Sequence, residues 1–208
     1  MAKQSGGHAP GSLVLAAVTF EFALGGIGVL LGWFCGVDPF AHLAWRNPLR
    51  LLFHLACGTA ATLPMLGLLL WIRRSRFRGF RALRELLHEQ LVPHFADANA
   101  FEVAWVSLAA GLGEELLFRG FLLEAFSKFV DPQTFGGWLP LLLSSLLFGL
   151  AHAVSWTYLG LATGVGLYLG ILLTISGSLW VPVTTHAVYD FVALRCLQHD
   201  HDKMKRAT

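Results

Sequence analysis

Residues 103–123 decide the fold, and they read VAWVSLAAGLGEELLFRGFLL. The run has the length and apolar character of a membrane-spanning helix, which needs about 20 mostly apolar residues. Within it stand three ionisable residues, Glu114, Glu115 and Arg119. Because an ionisable group at bilayer depth costs about 2.5–3.5 kcal/mol on insertion scales, these residues mark where the function should be sought.

The composition of the whole chain also indicates a membrane protein. Of its 208 residues, 55% are hydrophobic and 13% are charged, whereas soluble domains typically carry about 25% charged residues. The mean hydropathy is +0.61. A formal net charge of +2 is too small to indicate nucleic-acid binding, so we expect a lipid bilayer around the protein and no nucleic acid as a partner.

About six stretches resemble membrane spans, which predicts an all-α, polytopic transmembrane helical bundle forming one domain over 1–208. Residues 1–98 would hold two spans and their basic connection, 99–197 the functional core, and 198–208 a polar tail. The predicted spans are roughly Ser12–Phe34, Leu49–Ile72, Asn99–Phe126, Leu139–Ser155, Tyr158–Ile175 and Leu179–Leu197.

Basic residues predict the orientation of the bundle. Arginines crowd the connection between the second and third spans, which indicates that this connection is cytoplasmic. An even number of spans then puts both termini on the same side, in agreement with the basic residues near each end. We expect a bacterial inner membrane as the location. The residues concerned are Arg73, Arg74, Arg76, Arg78, Arg81, Arg84, Lys3, Lys203, Lys205 and Arg206.

The connection between the second and third spans contains an amphipathic segment, Ala82–Val92. One face carries leucines and the opposite face carries charges. This pattern fits a helix that lies in the membrane interface, and it fits a solvated linker helix as well. The apolar face consists of Leu83, Leu86, Leu87 and Leu91.

The three charges of the opening stretch are expected to differ in role. Residues four apart share a helix face, whereas adjacent residues diverge by about 100°. Glu115 and Arg119 should therefore form an ion pair, with the glutamate on the favoured N-terminal side. Glu114 points to another face without a cation on its own helix, so it is the candidate general base.

Two further pairs at the same spacing place imidazoles in other spans. Phe148 and His152 lie in the fourth predicted span, and His186 and Asp190 lie in the sixth. Polar groups in membrane bundles face the interior and contact one another. Together with Glu114 they would supply a base, two proton donors or acceptors, and a carboxylate that orients a histidine, which suffices for hydrolysis.

The order Glu-Glu-x-x-x-Arg, Phe-x-x-x-His and His-x-x-x-Asn/Asp on successive helices resembles the CAAX-protease and bacteriocin-processing (CPBP, or Abi) family of intramembrane proteases. The Ras-converting CAAX prenyl endopeptidases belong to this family. The match runs from Glu114 to Asp190. It implies a catalytic helical core within 99–197 and an intramembrane endopeptidase whose partner is a membrane-anchored protein or peptide substrate, prenylated in the Ras-converting case.

By position, the resemblance also implies a role for each residue. Glu114 would activate water, His152 would help to hold that water, and His186 with Asp190 would stabilise the oxyanion. Some family members, including the Ras-converting type, carry Asn in place of Asp190, and an ionised Asp cannot donate a hydrogen bond to an oxyanion. Asp190 would instead orient His186 or be kept protonated. Structural support would come from Glu115, Arg119 and Phe148.

Two catalytic devices fit these residues. In a glutamic-type device Glu114 takes the proton from water and no cofactor is needed. In a metalloprotease, Glu114, His152 and His186 would form the His2Glu set of an open zinc site. The chain has no His-Glu-x-x-His motif, and Glu115 would then have to act as the base although Arg119 is expected to hold it. The metal-free device is therefore favoured, with zinc as the alternative.

A rival hypothesis assigns the same charges to a non-catalytic transporter, or to an immunity or scaffold protein. The protease hypothesis requires Glu114, His152 and His186 to converge on one water. The predicted topology places them at different depths, so convergence requires tilted, staggered or broken helices. One more carboxylate, Glu21 in the first span, would line the cavity, contact a basic residue such as Arg119, or make a plain interhelical hydrogen bond.

Overall fold

The computed structural model describes residues 10–43, 47–131 and 137–207, and every regular element in these ranges is helical. The predicted all-α class is therefore confirmed. A π-helical segment, Leu116–Leu122, joins two of the helices without a break. The helices are α1 Pro10–Cys35, α2 Pro48–Arg74, α3 Arg78–Gln90, α4 Val92–Phe95, α5 Ala100–Glu115, α6 Leu123–Phe129, α7 Trp138–Ala151, α8 Trp156–Ser176 and α9 Trp180–Ala207.

Three helices are long and apolar enough to cross a membrane by themselves. They are Ser12–Cys35 within α1, Pro48–Arg74 and Trp156–Ser176. The prediction of a membrane protein built from apolar helices is thus confirmed, while the count of six spans stays a prediction. The orientation of the bundle in the membrane also stays a prediction. Lys3, one of the basic residues on which it rests, lies outside the described residues.

Two predicted boundaries differ from the helices that form. The fourth predicted span continues to Ser155, but α7 ends at Ala151 because the chain turns at His152, and Ser155 caps α8 by accepting a hydrogen bond from the Tyr158 backbone N–H. The sixth predicted span ends at Leu197, but α9 continues as a helix through the polar tail to Ala207. The side chains of Arg73 on α2 and Asp200 on α9 form a pair that holds this tail against α2.

The basic connection between α2 and α5 is largely helical. The amphipathic segment forms α3, and Phe80 and Leu83 on its apolar face are buried. Helix α3 packs against α2 and α8, so its apolar face covers protein. Its position relative to the bilayer surface stays a prediction.

Helix α9 lies at the centre of the bundle, in contact with α5, α2 and α8. The Thr185 hydroxyl donates to the carbonyls of Gly58 on α2 and Val181 on α9 itself, each at 2.9 Å. Gly58 has no room for a side chain, because a Cβ there would lie 2.7 Å from the Thr184 Cβ. This close contact holds the first half of α9, and with it His186, in the interior.

Helices α1 and α5 approach each other at backbone distance next to the two glutamates. A Cβ added to Gly113 would lie 2.0 Å from the Glu21 carbonyl oxygen, and one added to Gly28 would lie 2.9 Å from the Leu117 Cα. Small residues allow such close helix packing in membranes. The contact fixes the depth and rotation of α5 at the residue before Glu114.

Replacing Gly113 with alanine is therefore expected to destabilise the fold, because α1 must move away from α5. Gly26 on α1 is the matched control, since an added Cβ there meets nothing within 4 Å and alanine is the better helix former by about 1 kcal/mol. Thermal unfolding in detergent should show a lower midpoint for Gly113→Ala and an unchanged or higher one for Gly26→Ala. Equal midpoints for the two variants would contradict this packing.

Candidate active site

Glu114 and Glu115 occupy the last turn of α5, and both are buried, with 7% and 0% of their surface exposed. Arg119, one turn further on, is 1% exposed, and its Nη1 donates to Glu115 Oε1 at 2.7 Å. The ion pair predicted from the spacing is therefore present. Glu114 points away from it, as expected for an adjacent residue.

Arg119 uses its remaining donors to join three elements. Its Nη2 donates to the Gly166 carbonyl of α8 at 2.8 Å, and its guanidinium lies 4.5 Å from the centroid of the Phe148 ring of α7. A guanidinium over an aromatic face is attractive, and more so when desolvated. Phe148 thus contacts the buried guanidinium of Arg119. A supporting role for Phe148 was implied only by the family resemblance.

The two histidines approach the same oxygen of Glu114. The Nε2 atom of His152 lies 3.6 Å from Glu114 Oε2, and the Nε2 atom of His186 lies 4.0 Å from it. These separations are too long for direct hydrogen bonds and suit one water molecule placed among the three groups. The structure therefore brings together the three residues that the protease hypothesis requires.

The other ring nitrogen of each histidine fixes how it faces Glu114. The His152 Nδ1 lies 2.8 Å from the Phe148 carbonyl, and the His186 Nδ1 lies 2.9 Å from Glu115 Oε1. Because a carbonyl oxygen only accepts hydrogen bonds, the His152 Nδ1 carries a proton and donates it to Phe148. The His186 Nδ1 likewise carries a proton, because the Glu115 carboxylate is an acceptor. Both Nε2 atoms are left to face the cavity.

Glu115 has a second partner that the sequence did not indicate. It binds Arg119 and His186 through the same oxygen, Oε1. The sequence predicts only the contact between Glu115 and Arg119, because a spacing of four residues indicates contacts within one helix and His186 lies on another helix. Glu115 therefore orients a catalytic candidate as well as neutralising the arginine.

Asp190 lies beside His186 at the edge of the site. Its Oδ2 is 3.4 Å from the His186 Nε2, and its side chain is 30% exposed. The expected contact between these residues is present at the spacing of four. For the His186 Nε2 to donate a hydrogen bond as well as Nδ1, the ring must carry both protons and a positive charge. The carboxylates of Asp190, Glu114 and Glu115 offset that charge.

Glu21 of α1 joins the site from outside the recognised motifs. It lines the same cavity as Glu114 and Asp190, which is one of the outcomes expected from the sequence. It has no salt bridge with Arg119, whose donors are directed to Glu115 and Gly166. Its Oε2 atom is buried without a hydrogen-bond partner among the described residues.

Two cavities meet at these side chains. The first, of about 280 Å³, runs from Glu21, Glu114 and Asp190 towards the basic connection, where Arg73 and Arg84 line it. The second, of about 160 Å³, includes His152 and His186 and is otherwise mostly apolar. The residues that line both cavities are Leu69, Ile72, Leu83, Leu87, Tyr158, Tyr189 and Asp190.

The distances between Glu114 and the two histidines are longer than those between the ligand atoms of a tetrahedral zinc site. Ligand atoms around a tetrahedral zinc with bonds of 2.0–2.1 Å are about 3.3 Å apart, whereas the two Nε2–Oε2 distances are 3.6 and 4.0 Å. Within the described ranges, no group of three His, Cys, Asp or Glu side chains has the arrangement of a metal site.

The fold and the site define an integral membrane protein of apolar helices with a buried carboxylate that faces two imidazoles. Residues 96–192 match the family model described as type II CAAX prenyl endopeptidase, Rce1-like, and this match confirms the resemblance that the motifs indicated. The matched region contains Glu114, His152, His186 and Asp190 and leaves out α1 to α4. No match was found among curated proteins or solved structures.

Proposed function

We propose that the protein is a glutamic-type intramembrane endopeptidase that hydrolyses a peptide bond of a membrane-anchored protein of the prenylated CAAX type. The observation that supports this most is the convergence of the His152 and His186 Nε2 atoms on one oxygen of Glu114. The family match supports the reaction class and a membrane-associated protein substrate.

In the proposed mechanism, a water molecule lies between Glu114 Oε2 and the His152 Nε2. Glu114 removes one proton as the water oxygen attacks the scissile carbonyl carbon, and the carbonyl becomes an oxyanion that faces His186. Glu114 then gives the proton to the leaving nitrogen as the carbon–nitrogen bond breaks. General acid–base transfer of this kind contributes about 10²–10⁴-fold to a rate.

The direction of the first cavity supports a route for the substrate. It leads from the candidate base to Arg73 and Arg84 in the basic connection, which the distribution of arginines assigns to the cytoplasm. We propose that the scissile bond enters from this side while the lipid anchor stays in the bilayer, and that the protein resides in a bacterial inner membrane with both termini cytoplasmic.

The experiment is cleavage of a farnesylated peptide with a C-terminal CAAX sequence by the purified protein in liposomes, with products identified by mass spectrometry. We expect release of the C-terminal peptide, at a rate that a zinc chelator does not change because Glu114 acts without a metal. Loss of cleavage on chelation with recovery on adding Zn²⁺ would instead support the metalloprotease. Absence of cleavage across substrates with differing anchors would favour the non-catalytic alternatives.

A further inference from the structure

The proposed site lacks a hydrogen-bond donor where the resemblance leads one to expect it. An Asn at position 190, as in the Ras-converting enzymes, offers N–H donors, whereas an ionised Asp190 can only accept. The neighbouring side chains Glu114 and Glu115 are carboxylates too. His186 would then be left as one donor to the oxyanion, although preorganised groups of donors are what usually stabilise such a charge.

Tyr158 places a phenol beside this gap. It lies in the first turn of α8, directly after the short link from His152, and its backbone N–H donates to the Ser155 side chain at 3.1 Å. Its ring meets the His152 ring edge-on, with centroids 6.2 Å apart and an interplanar angle of 79°. The N-cap and the ring contact together hold Tyr158 against the site.

Tyr158 and Tyr189 border the two cavities at the site, whereas Tyr168 does not. Tyr158 lines both cavities, the first together with Glu114 and Asp190 and the second together with His152 and His186. Tyr189 lines both cavities as well, but the ring contact with His152 is made by Tyr158, and the Tyr168 hydroxyl is already bonded to the Ala61 carbonyl at 2.7 Å. Among the described residues, the Tyr158 hydroxyl has no hydrogen-bond partner.

We propose that Tyr158 is a further catalytic residue, whose phenolic O–H donates a hydrogen bond to the oxyanion in place of the amide that Asp190 lacks. This inference rests on the proposed function. No proton is transferred: the phenol stays neutral, Glu114 carries the proton from water to the leaving nitrogen, and the hydrogen bond strengthens only as the carbonyl oxygen becomes negative. Asp190 remains a carboxylate beside His186.

The first test is Tyr158→Phe in the liposome assay. Removing one oxyanion donor costs about 10²–10³-fold in kcat, and we expect a loss of that size with little change in KM, because the donor acts in the transition state. Tyr168→Phe is the matched control, with an expected kcat close to that of the unmodified protein. Thermal unfolding in detergent should confirm that both variants are folded.

The second test is rescue by an amide. In the Tyr158→Phe background, Asp190→Asn restores a donor at the neighbouring position, so we expect it to recover kcat by at least about tenfold. Full kcat in Tyr158→Phe, or failure of Asp190→Asn to recover any, would overturn the role of Tyr158 while leaving the peptidase proposal intact. If the unmodified protein and Glu114→Gln are equally inactive, the proposed function itself is what fails.

Discussion

Glu114→Gln is expected to lower the rate of peptide cleavage by about 10²–10⁴-fold, the contribution of a general base. Glutamine keeps the size of the side chain and its oxygen, but it cannot take a proton from water. The side chain is 7% exposed and its Oε2 makes no hydrogen bond to the described residues, so the fold should tolerate the change. Rates measured on liposomes, beside unfolding midpoints in detergent, check both expectations.

Glu89→Gln is the matched control, because Glu89 is exposed on α3 and lies outside both cavities at the site. It should leave the rate unchanged. Cleavage by Glu114→Gln at the full rate would remove Glu114 from the mechanism. A loss of folding in this variant would instead assign the carboxylate a structural role, and the unfolding midpoint separates the two outcomes.

Arg119→Met is expected to have the largest effect on stability. It removes the guanidinium partner of Glu115 and leaves His186 as its remaining contact in the interior, and breaking a buried ion pair from one side costs about 3–5 kcal/mol. The hydrogen bond to Gly166 and the contact with the Phe148 ring are lost as well. The free energy of unfolding in mixed micelles should fall accordingly.

Arg73→Met is the matched control for this loss of stability. Arg73 pairs with Asp200, but their side chains are 31% and 33% exposed, and exposed ion pairs contribute only about 0–1 kcal/mol to the free energy of unfolding. Adding Glu115→Gln to Arg119→Met should restore part of the stability, since no charge is then unpaired at that point. Activity should stay low in the double variant, because the His186 Nδ1 loses its carboxylate. An equal loss of stability from Arg73→Met and Arg119→Met would contradict this account.

Residues on one helix could be predicted from the sequence because helical geometry determines their spacing. The Glu115–Arg119 pair and the neighbouring His186 and Asp190 follow from a separation of four residues, and both contacts are present. The convergence of Glu114 with two histidines could only be hypothesised. It depends on how three helices pack, which the spacing along the chain does not report.

The other differences between the sequence-based expectations and the structure have separate causes. The end of α7 at Ala151 follows from His152, whose ring binds the Phe148 carbonyl that the ended helix leaves free. The π-helical segment after Glu115 and the backbone contact at Gly113 depend on tertiary packing. The proposed role of Tyr158 could not be predicted from the sequence, because this residue belongs to none of the recognised motifs. A single tyrosine in an apolar span does not by itself indicate a functional residue.

The contacts of Arg119 also bear on how the chain enters the bilayer during synthesis. Its pairing with Glu115 is local, so that segment can leave the ribosome and partition into lipid with its charges already neutralised. The acceptor for its other arm, the Gly166 carbonyl, is translated later on α8. Until α8 arrives, one polar group of the nascent chain lacks its partner in a medium that offers none. Arg119 therefore obtains its full set of partners only when the bundle is complete, and not when its own helix inserts.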